Sequence, residues 1–370
     1  MANIPCFPLK KNGSTWIFIA LSVLSTVLQF KHRLFQSVQQ PDYPSLAEQA
    51  GFVKIACLKP PRLADGSLSK HLDEWLRSNA GALNYIDSKR DILVEPFAQR
   101  PWAKSLVIAS FLPERDDSPL LQLPLAHDGR PFAEIAPYAL DKDYHETGRK
   151  KLKRLEELLL QQFGPAQTEL GVDSEPVLEK PLAQIAGIGS RALNSLIYDD
   201  RYACGVNLAI LFTAHDLPPR LLDAPAECPH CGACLKACPT KAFGSAEGFQ
   251  VRRCRAWLSG EYRKPLTWEQ QILLGPTLYG CGKCTSSCPK TNYVKPLAVD
   301  AEEFLRMPSA TVTRLIKGTA LEHTGTTVLK RNAAAAIGQQ LPPDIRDASK
   351  QELLALCASP TVRQTIEAWP

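Results

Sequence analysis

Eight of the 12 cysteines fall between Glu227 and Asn292: Cys228, Cys231, Cys234, Cys238, Cys254, Cys281, Cys284 and Cys288. The first four read C-P-H-C-G-A-C-L-K-A-C-P, a C-x2-C-x2-C-x3-C-P run. The last three repeat that run with its first member missing, and Cys254 can fill the vacancy. A cubane iron–sulfur cluster needs four thiolates converging on one small site. An x2-spaced loop supplies three, and a more distant cysteine closes the cage. In the two-cluster arrangement the cysteine before proline serves the other cluster. The spacing therefore assigns Cys228, Cys231, Cys234 and Cys288 to one [4Fe–4S] cluster, and Cys238, Cys254, Cys281 and Cys284 to a second. Paired C-x2-C motifs also hold zinc, and secreted chains use cysteines for disulfides. Two cysteine–proline endings and eight correctly spaced thiols favour the clusters over both.

Such a segment moves electrons, and the rest of the chain must position what receives them. At 370 residues there is room for more than one domain. Thirty prolines suggest long irregular connections, and a net charge of +5 permits a nucleic-acid partner without demanding one. Reduced, cluster-bound thiols point to a cytoplasmic compartment. Cys6, Cys57, Cys204 and Cys357 are scattered and read as free thiols.

Residues 15–30 are almost wholly apolar between basic flanks. The run is short for a membrane span and lacks a cleavage site. Residues 1–40 are read as a hydrophobic extension, from an upstream start codon or as an anchor, and membrane association is not expected. From Pro41 the pattern is mixed α/β. Residues 45–50 form a short helix feeding a strand at 52–56, and residues 70–78 a helix with Leu72, Trp75 and Leu76 on one face. Residues 104–111 read as a buried strand, and residues 208–213 are another short apolar run. Residues 112–136, rich in proline and charge, read as a long loop. Asp143 opens an amphipathic helix with Leu152, Leu155, Leu159 and Phe163 on its apolar face. Beyond Pro289 four helices are expected, at 301–307, 310–317, 327–339 and 349–357, in antiparallel pairs as in helical repeats.

Together these stretches resemble the epoxyqueuosine reductase family. The resemblance rests on Ser88-Lys89-Arg90, Ala103-Lys104-Ser105, Asp143-Tyr144-His145, Val172-Asp173-Ser174 leading to Glu179 and Ala186-Gly187-Ile188-Gly189, the Arg253–Leu258 run, and Arg331-Asn332-Ala333. It departs where Leu193, in place of a lysine, precedes Asn194, and at Ala136-Pro137-Tyr138.

The resemblance implies an α/β cobalamin-binding domain over residues 41–220, a ferredoxin-like two-cluster segment over 221–295 and a C-terminal α-helical, HEAT-like region over 296–370. It implies reduction of a tRNA wobble-base epoxide to the alkene of queuosine by a monomer fed from a low-potential electron donor. Two [4Fe–4S] clusters and cobalamin are the implied cofactors. Asp173 is the implied proton donor, since an alkoxide is a poor leaving group at neutral pH. Desolvation beside a corrin would keep such a carboxyl protonated. Asp143 is the competing acid, although a helix N-cap equally suits it. Arg90, Asp143, Asp173, Asn194, Ala256 and Cys281 are the implied cobalamin contacts. The cluster of Cys238, Cys254, Cys281 and Cys284 is expected nearer the cobalamin.

Basic residues at 252, 253, 255, 263, 264, 314, 317, 330 and 331 would offer a face for the anticodon loop. A reductive-dehalogenase-like cobalamin enzyme and a ferredoxin-type electron carrier are the competing readings.

Overall fold

The computed structural model describes residues 40–370 apart from 64–65, 115–117, 224–226, 244–247 and 292–293. Two units separate, Met1–Pro41 and Asp42–Pro370, and the apolar run at 15–30 lies outside the described residues. The described helices and strands all belong to the second unit. Asp42 accepts the N–H of Ser45 at 3.2 Å and so caps α1 (Tyr43–Ala50), which ends at a left-handed Gly51 and feeds β1 (Lys54–Leu58). Then come α2 (Ser67–Asn79), α3 (Asn84–Ser88), α4 (Arg90–Val94) and β2 (Ser105–Phe111). Next are β3 (Phe132–Ile135), α5 (Tyr144–Phe163), β4 (Thr168–Gly171), α6 (Glu179–Ile185), the two-residue strands β5 (Ser190–Arg191) and β6 (Ile197–Tyr198), and β7 (Asn207–Thr213).

Four of these strands form one antiparallel sheet in the order β1–β2–β7–β4. Every residue of β2 is buried, because helices cover both faces of the sheet. Val107, Ala109 and Phe111 point into a core shared with Leu46 of α1 and Leu152, Leu155 and Leu159 of α5. Leu106 and Ile108 point the other way, onto Leu68 of α2 and Leu182 of α6. Each such fully buried side chain contributes about 1.5–3 kcal/mol. A nearly continuous apolar run is the habit of parallel strands, yet here it belongs to an antiparallel sheet sandwiched between helices.

The cluster segment carries α7 (Ala233–Ala237), α8 (Arg255–Gly260), α9 (Trp268–Leu274), β8 (Thr277–Tyr279) and α10 (Lys283–Ser286). After it come β9 (Leu297–Asp300) and the helices α11 (Ala301–Arg306), α12 (Ser309–Ile316), α13 (Thr326–Gln340), α14 (Pro343–Leu356) and α15 (Pro360–Glu367). The four expected C-terminal helices are present with shifted ends, and α15 adds another. They gather around α13, which is buried over most of its length.

One expectation fails. The stretch read as loop from 112 to 136 contains a 3-10 turn at Pro119–Gln122 and the strand β3. β3 lies between β8, to which it is parallel, and β9, to which it is antiparallel. It sends Ala133 and Ile135 into the core around α13. This second sheet stitches the α/β part to the cluster segment and the C-terminal helices, across the boundaries at 221 and 296.

Candidate redox and proton-transfer site

Both C-x-x-C loops share one local design. A left-handed glycine, Gly232 or Gly282, turns the chain into a short helix, α7 or α10, and the two helices pack on each other. Cys228, Cys231, Cys234 and Cys288 line one cavity, walled by Leu193, Asn194, Tyr198 and Cys204. Cys238, Cys254, Cys281 and Cys284 make a second set: burial first, then the neighbouring cysteines of the set, raises the pKa values of Cys254, Cys281 and Cys284. Burial, reinforced by Cys281, Cys254 and Cys238, pushes Cys284 up to about 12. Thiols so crowded and desolvated ionise together only around cations. The N–H groups of Ala256 and Trp257 point at Cys254, and that of Lys283 at Cys281, as donors around a thiolate cage do. The cysteine before each proline lies with the other run's set, although among the described residues no three such side chains stand close enough together to hold a metal ion.

Asp173 follows β4 directly and has φ +52°, the left-handed region that non-glycine residues enter rarely and at a cost of about 1–3 kcal/mol. Two bonds hold it there. Tyr144 Oη donates to Asp173 Oδ2 at 2.6 Å, and the Asp173 N–H donates to Glu179 Oε1 at 2.8 Å. Arg149 Nη2 also donates to Ser174 Oγ at 3.1 Å. Asp143 caps α5, accepting the His145 N–H at 2.9 Å and lying 2.8 Å from its Nδ1. The His145 ring stacks on Tyr144 with centroids 4.0 Å apart. In D-Y-H the aspartate thus fixes the helix start, while the tyrosine reaches Asp173.

The carboxyls differ. Burial raises Asp143, but the hydrogen bonds from His145 outweigh it and hold Asp143 below its usual value. Burial and then the charge of Asp173 push Glu179 up to about 8. Asp173 itself is exposed, so the expected desolvation is not supplied by the chain alone; Glu179 is the enclosed member of the pair. Burial followed by Asp173 raises Tyr144 far above an ordinary tyrosine, and burial, Asp173 and Glu261 push Tyr85 up to about 12. At neutral pH these phenols are donors.

Tyr138 links this group to the thiols. Its ring is 44% exposed, while its hydroxyl turns inward to where a Cβ on Gly280 would sit 2.4 Å away. Burial, then Tyr279, then Cys254, Cys281 and Cys284 raise its pKa. Only glycine fits at position 280, which also has φ +69°.

Of the other expected contacts, Arg90 opens α4 and is engaged by Asp73 at 2.6 Å and Ser69 at 3.2 Å. Asn194 is 4% exposed, accepts from the Leu196 N–H and from Cys204, and sits with Leu193 on the wall of the first cysteine cavity. The expected basic face is reduced. Arg331 is fully buried and donates to the carbonyls of Leu258, Tyr262 and Lys264. Lys330 donates to Met307 O, and Arg255 to Leu273 O. Arg252, Arg253, Arg263, Lys264, Arg314 and Lys317 are exposed, the first three while donating to the carbonyls of Ala80, Thr240 and Thr324 respectively. No helix among the described residues is long and apolar enough to cross a membrane.

Sequence reading missed Tyr144, Tyr138 and the role of Glu179. Tyr144 and Glu179 stand inside motifs that were legible, but their contacts to Asp173 are made only once β4 packs beside α5.

A double-cluster cysteine segment set against an α/β core that presents an acid held by a tyrosine defines an iron–sulfur oxidoreductase. Residues 227–291 match the 4Fe-4S double cluster binding domain, and residues 94–174 match the family described as epoxyqueuosine reductase QueG, DUF1730. The chain is 30% identical to the epoxyqueuosine reductase of Vibrio cholerae over 325 residues, 80% of this chain and 84% of that one. It is 28% identical to the Francisella cf. novicida enzyme, over 74% of this chain and 81% of the relative. The chain belongs to the epoxyqueuosine reductase family. Its fold is that of the Streptococcus thermophilus epoxyqueuosine reductase (TM-score 0.72, 20% identity, 88% and 87% of the two chains). It is also that of an epoxyqueuosine reductase crystallised with a tRNA-Tyr epoxyqueuosine-modified stem loop (TM-score 0.70, 22% identity, 92% and 98%).

Proposed function

We propose that this chain reduces the epoxide of epoxyqueuosine in tRNA to the alkene of queuosine, taking up two electrons and two protons and releasing one water. The observation that carries the reading is the Asp173 carboxyl, held in a strained turn by Tyr144 and Glu179, with Tyr138 near enough to interact with Tyr144 on one side and with Cys254, Cys281 and Cys284 on the other. Asp173 hands a proton to the departing oxygen, which an alkoxide at neutral pH requires. A ligand seated over the exposed carboxyl would desolvate it and favour its protonated form. Tyr144, neutral at working pH, orients Oδ2 by donating to it.

Two [4Fe–4S] clusters are the electron path, one on Cys228, Cys231, Cys234 and Cys288, the other on Cys238, Cys254, Cys281 and Cys284. Cobalamin would be the group that receives these electrons. When bound it supplies a low-valent cobalt centre reducing enough to open an epoxide. Two features of the chain suit it. Tyr138 presents an aromatic face between the second thiol set and the Asp173 group. A cavity of about 460 Å³, lined by His71, Trp75, Arg191 and Phe249, adjoins one of about 170 Å³ that reaches Ile86, Leu178 and Lys180, next to Tyr85 and Glu179. The second set of cysteines would hold the cluster nearer the cobalamin, leaving the first set toward a low-potential donor.

The exposed basic residues neutralise the tRNA backbone, and the wobble base is splayed out toward Asp173. A reducing, cytoplasmic compartment suits the thiolates. The test uses anaerobically reconstituted protein, reduced and given epoxyqueuosine-containing tRNA. It should hold about eight irons and one cobalamin and form queuosine. Asp173→Asn should keep both cofactors and lose turnover. Iron without cobalamin would leave only an electron carrier, and bound cofactors without turnover would point to another substrate.

A further inference from the structure

Asp173 is held at two places that do different work. Tyr144 grips its carboxylate at 2.6 Å. Glu179 grips its backbone, accepting the N–H at 2.8 Å from the first turn of α6. A left-handed aspartate relaxes to an ordinary conformation unless its surroundings over-determine it. β4 ends at Gly171 and α6 begins at Glu179, so the intervening residues span an irregular crossing. Glu179 is itself fixed by its place in α6, whose Leu182 and Ala183 are buried under the central sheet. The bond to the Asp173 N–H thus anchors the turn to the core.

We propose that Glu179 is a positioning residue for the reduction: by accepting the Asp173 N–H it holds the proton donor in the left-handed turn that aims its carboxyl at the substrate. The proposal rests on Asp173 being the donor. Its function lies in an acceptor oxygen at the right place, not in a negative charge. Glutamine, whose amide oxygen can take the same bond, therefore replaces it, whereas alanine does not. Misplacement of a reacting group by about 1 Å can cost two orders of magnitude in rate.

The experiment compares Glu179→Gln, Glu179→Ala and Asp173→Asn in the reconstituted holoenzyme. It measures kcat and KM for epoxyqueuosine-containing tRNA, iron and cobalamin content, and hydrogen exchange at the Asp173 amide. Expected are a kcat within about twofold of the parent for Glu179→Gln and a fall of about tenfold or more for Glu179→Ala, with KM and cofactor content unchanged. The Asp173 amide should exchange quickly in Glu179→Ala and slowly in Glu179→Gln. Glu179→Met, which keeps the volume and removes the acceptor, takes the place of alanine if that variant does not fold. Parental kcat in the alanine or methionine variant overturns the proposal. So does a glutamine variant as slow as alanine, because charge would then be what matters. An active Asp173→Asn overturns the donor assignment instead, and the two failures are read from different proteins.

Discussion

At the scale of single residues the site is a pair of carboxyls with unequal surroundings. Glu179, pushed up to about 8 by burial and by Asp173, binds its proton more tightly folded than unfolded. Between the ordinary glutamate value near 4.5 and about 8 the folded state therefore carries the extra proton. Stability falls as pH rises wherever the folded state binds more protons. Fully present below the lower value, this contribution is lost as pH climbs through the window. Denaturant unfolding across that range should show a decline that Glu179→Gln flattens; an unchanged slope would show that Glu179 does not titrate there. The acids themselves were legible in the sequence, since V-D-S and D-Y-H stand out as motifs. Their division of labour was not. Asp143 caps a helix through its near neighbour His145, a local contact that sequence can suggest. Tyr144 meets Asp173 29 positions away, and only tertiary packing brings them together.

At the scale of elements, α13 shows how a motif can be read correctly and given the wrong job. Arg331-Asn332 was recognisable, and its positive charge suggested an RNA face. Instead Arg331 is buried and serves the backbone carbonyls where α8 ends, while Asn332 bonds to Ser259 O at 2.9 Å and Leu278 O at 2.8 Å. α13 therefore clamps α8 and β8, the two elements that flank the second cysteine set. Burial pulls Arg331 down to about 9, so it stays charged at neutral pH. Arg331→Ala leaves the carbonyls of Leu258, Tyr262 and Lys264 without their donor, each a loss of about 1–3 kcal/mol. Urea unfolding should show at least about 3 kcal/mol lost, with tRNA affinity unchanged in the protein that remains folded. A change in tRNA affinity with full stability would restore the surface role. β3 escaped notice for a different reason: its four residues, flanked by Pro131 and Ala136-Pro137, are too few to show a period, and their partners lie more than 140 residues away.

At the scale of the whole molecule, one sheet and one helix bind three segments together, and the order of the electron path proposed through them can be tested. The crossing of the cysteine runs was expected from the two cysteine–proline endings alone, and Cys288 lines the first cavity with Cys228, Cys231 and Cys234 rather than with its own run. The direction, with the second set nearer the cobalamin, was expected from the resemblance; what sequence could not supply was Tyr138, which lies far upstream of the cysteines whose charges raise its pKa. If the runs cross, Cys288→Ala disrupts the same cluster as Cys228→Ala, and Cys238→Ala the same cluster as Cys254→Ala. Each variant should retain about four irons. The reduced-state EPR spectra should then fall into two pairs, with Cys288→Ala resembling Cys228→Ala rather than Cys281→Ala. An uncrossed chain would instead group Cys288 with Cys281. Direction follows from the same variants: those of the second set would remove the cluster proposed to stand nearer the cobalamin. They should stop turnover even with a strong chemical reductant that still drives some turnover in Cys288→Ala. Equal loss in both sets would mean that the first set does not lie on the donor side.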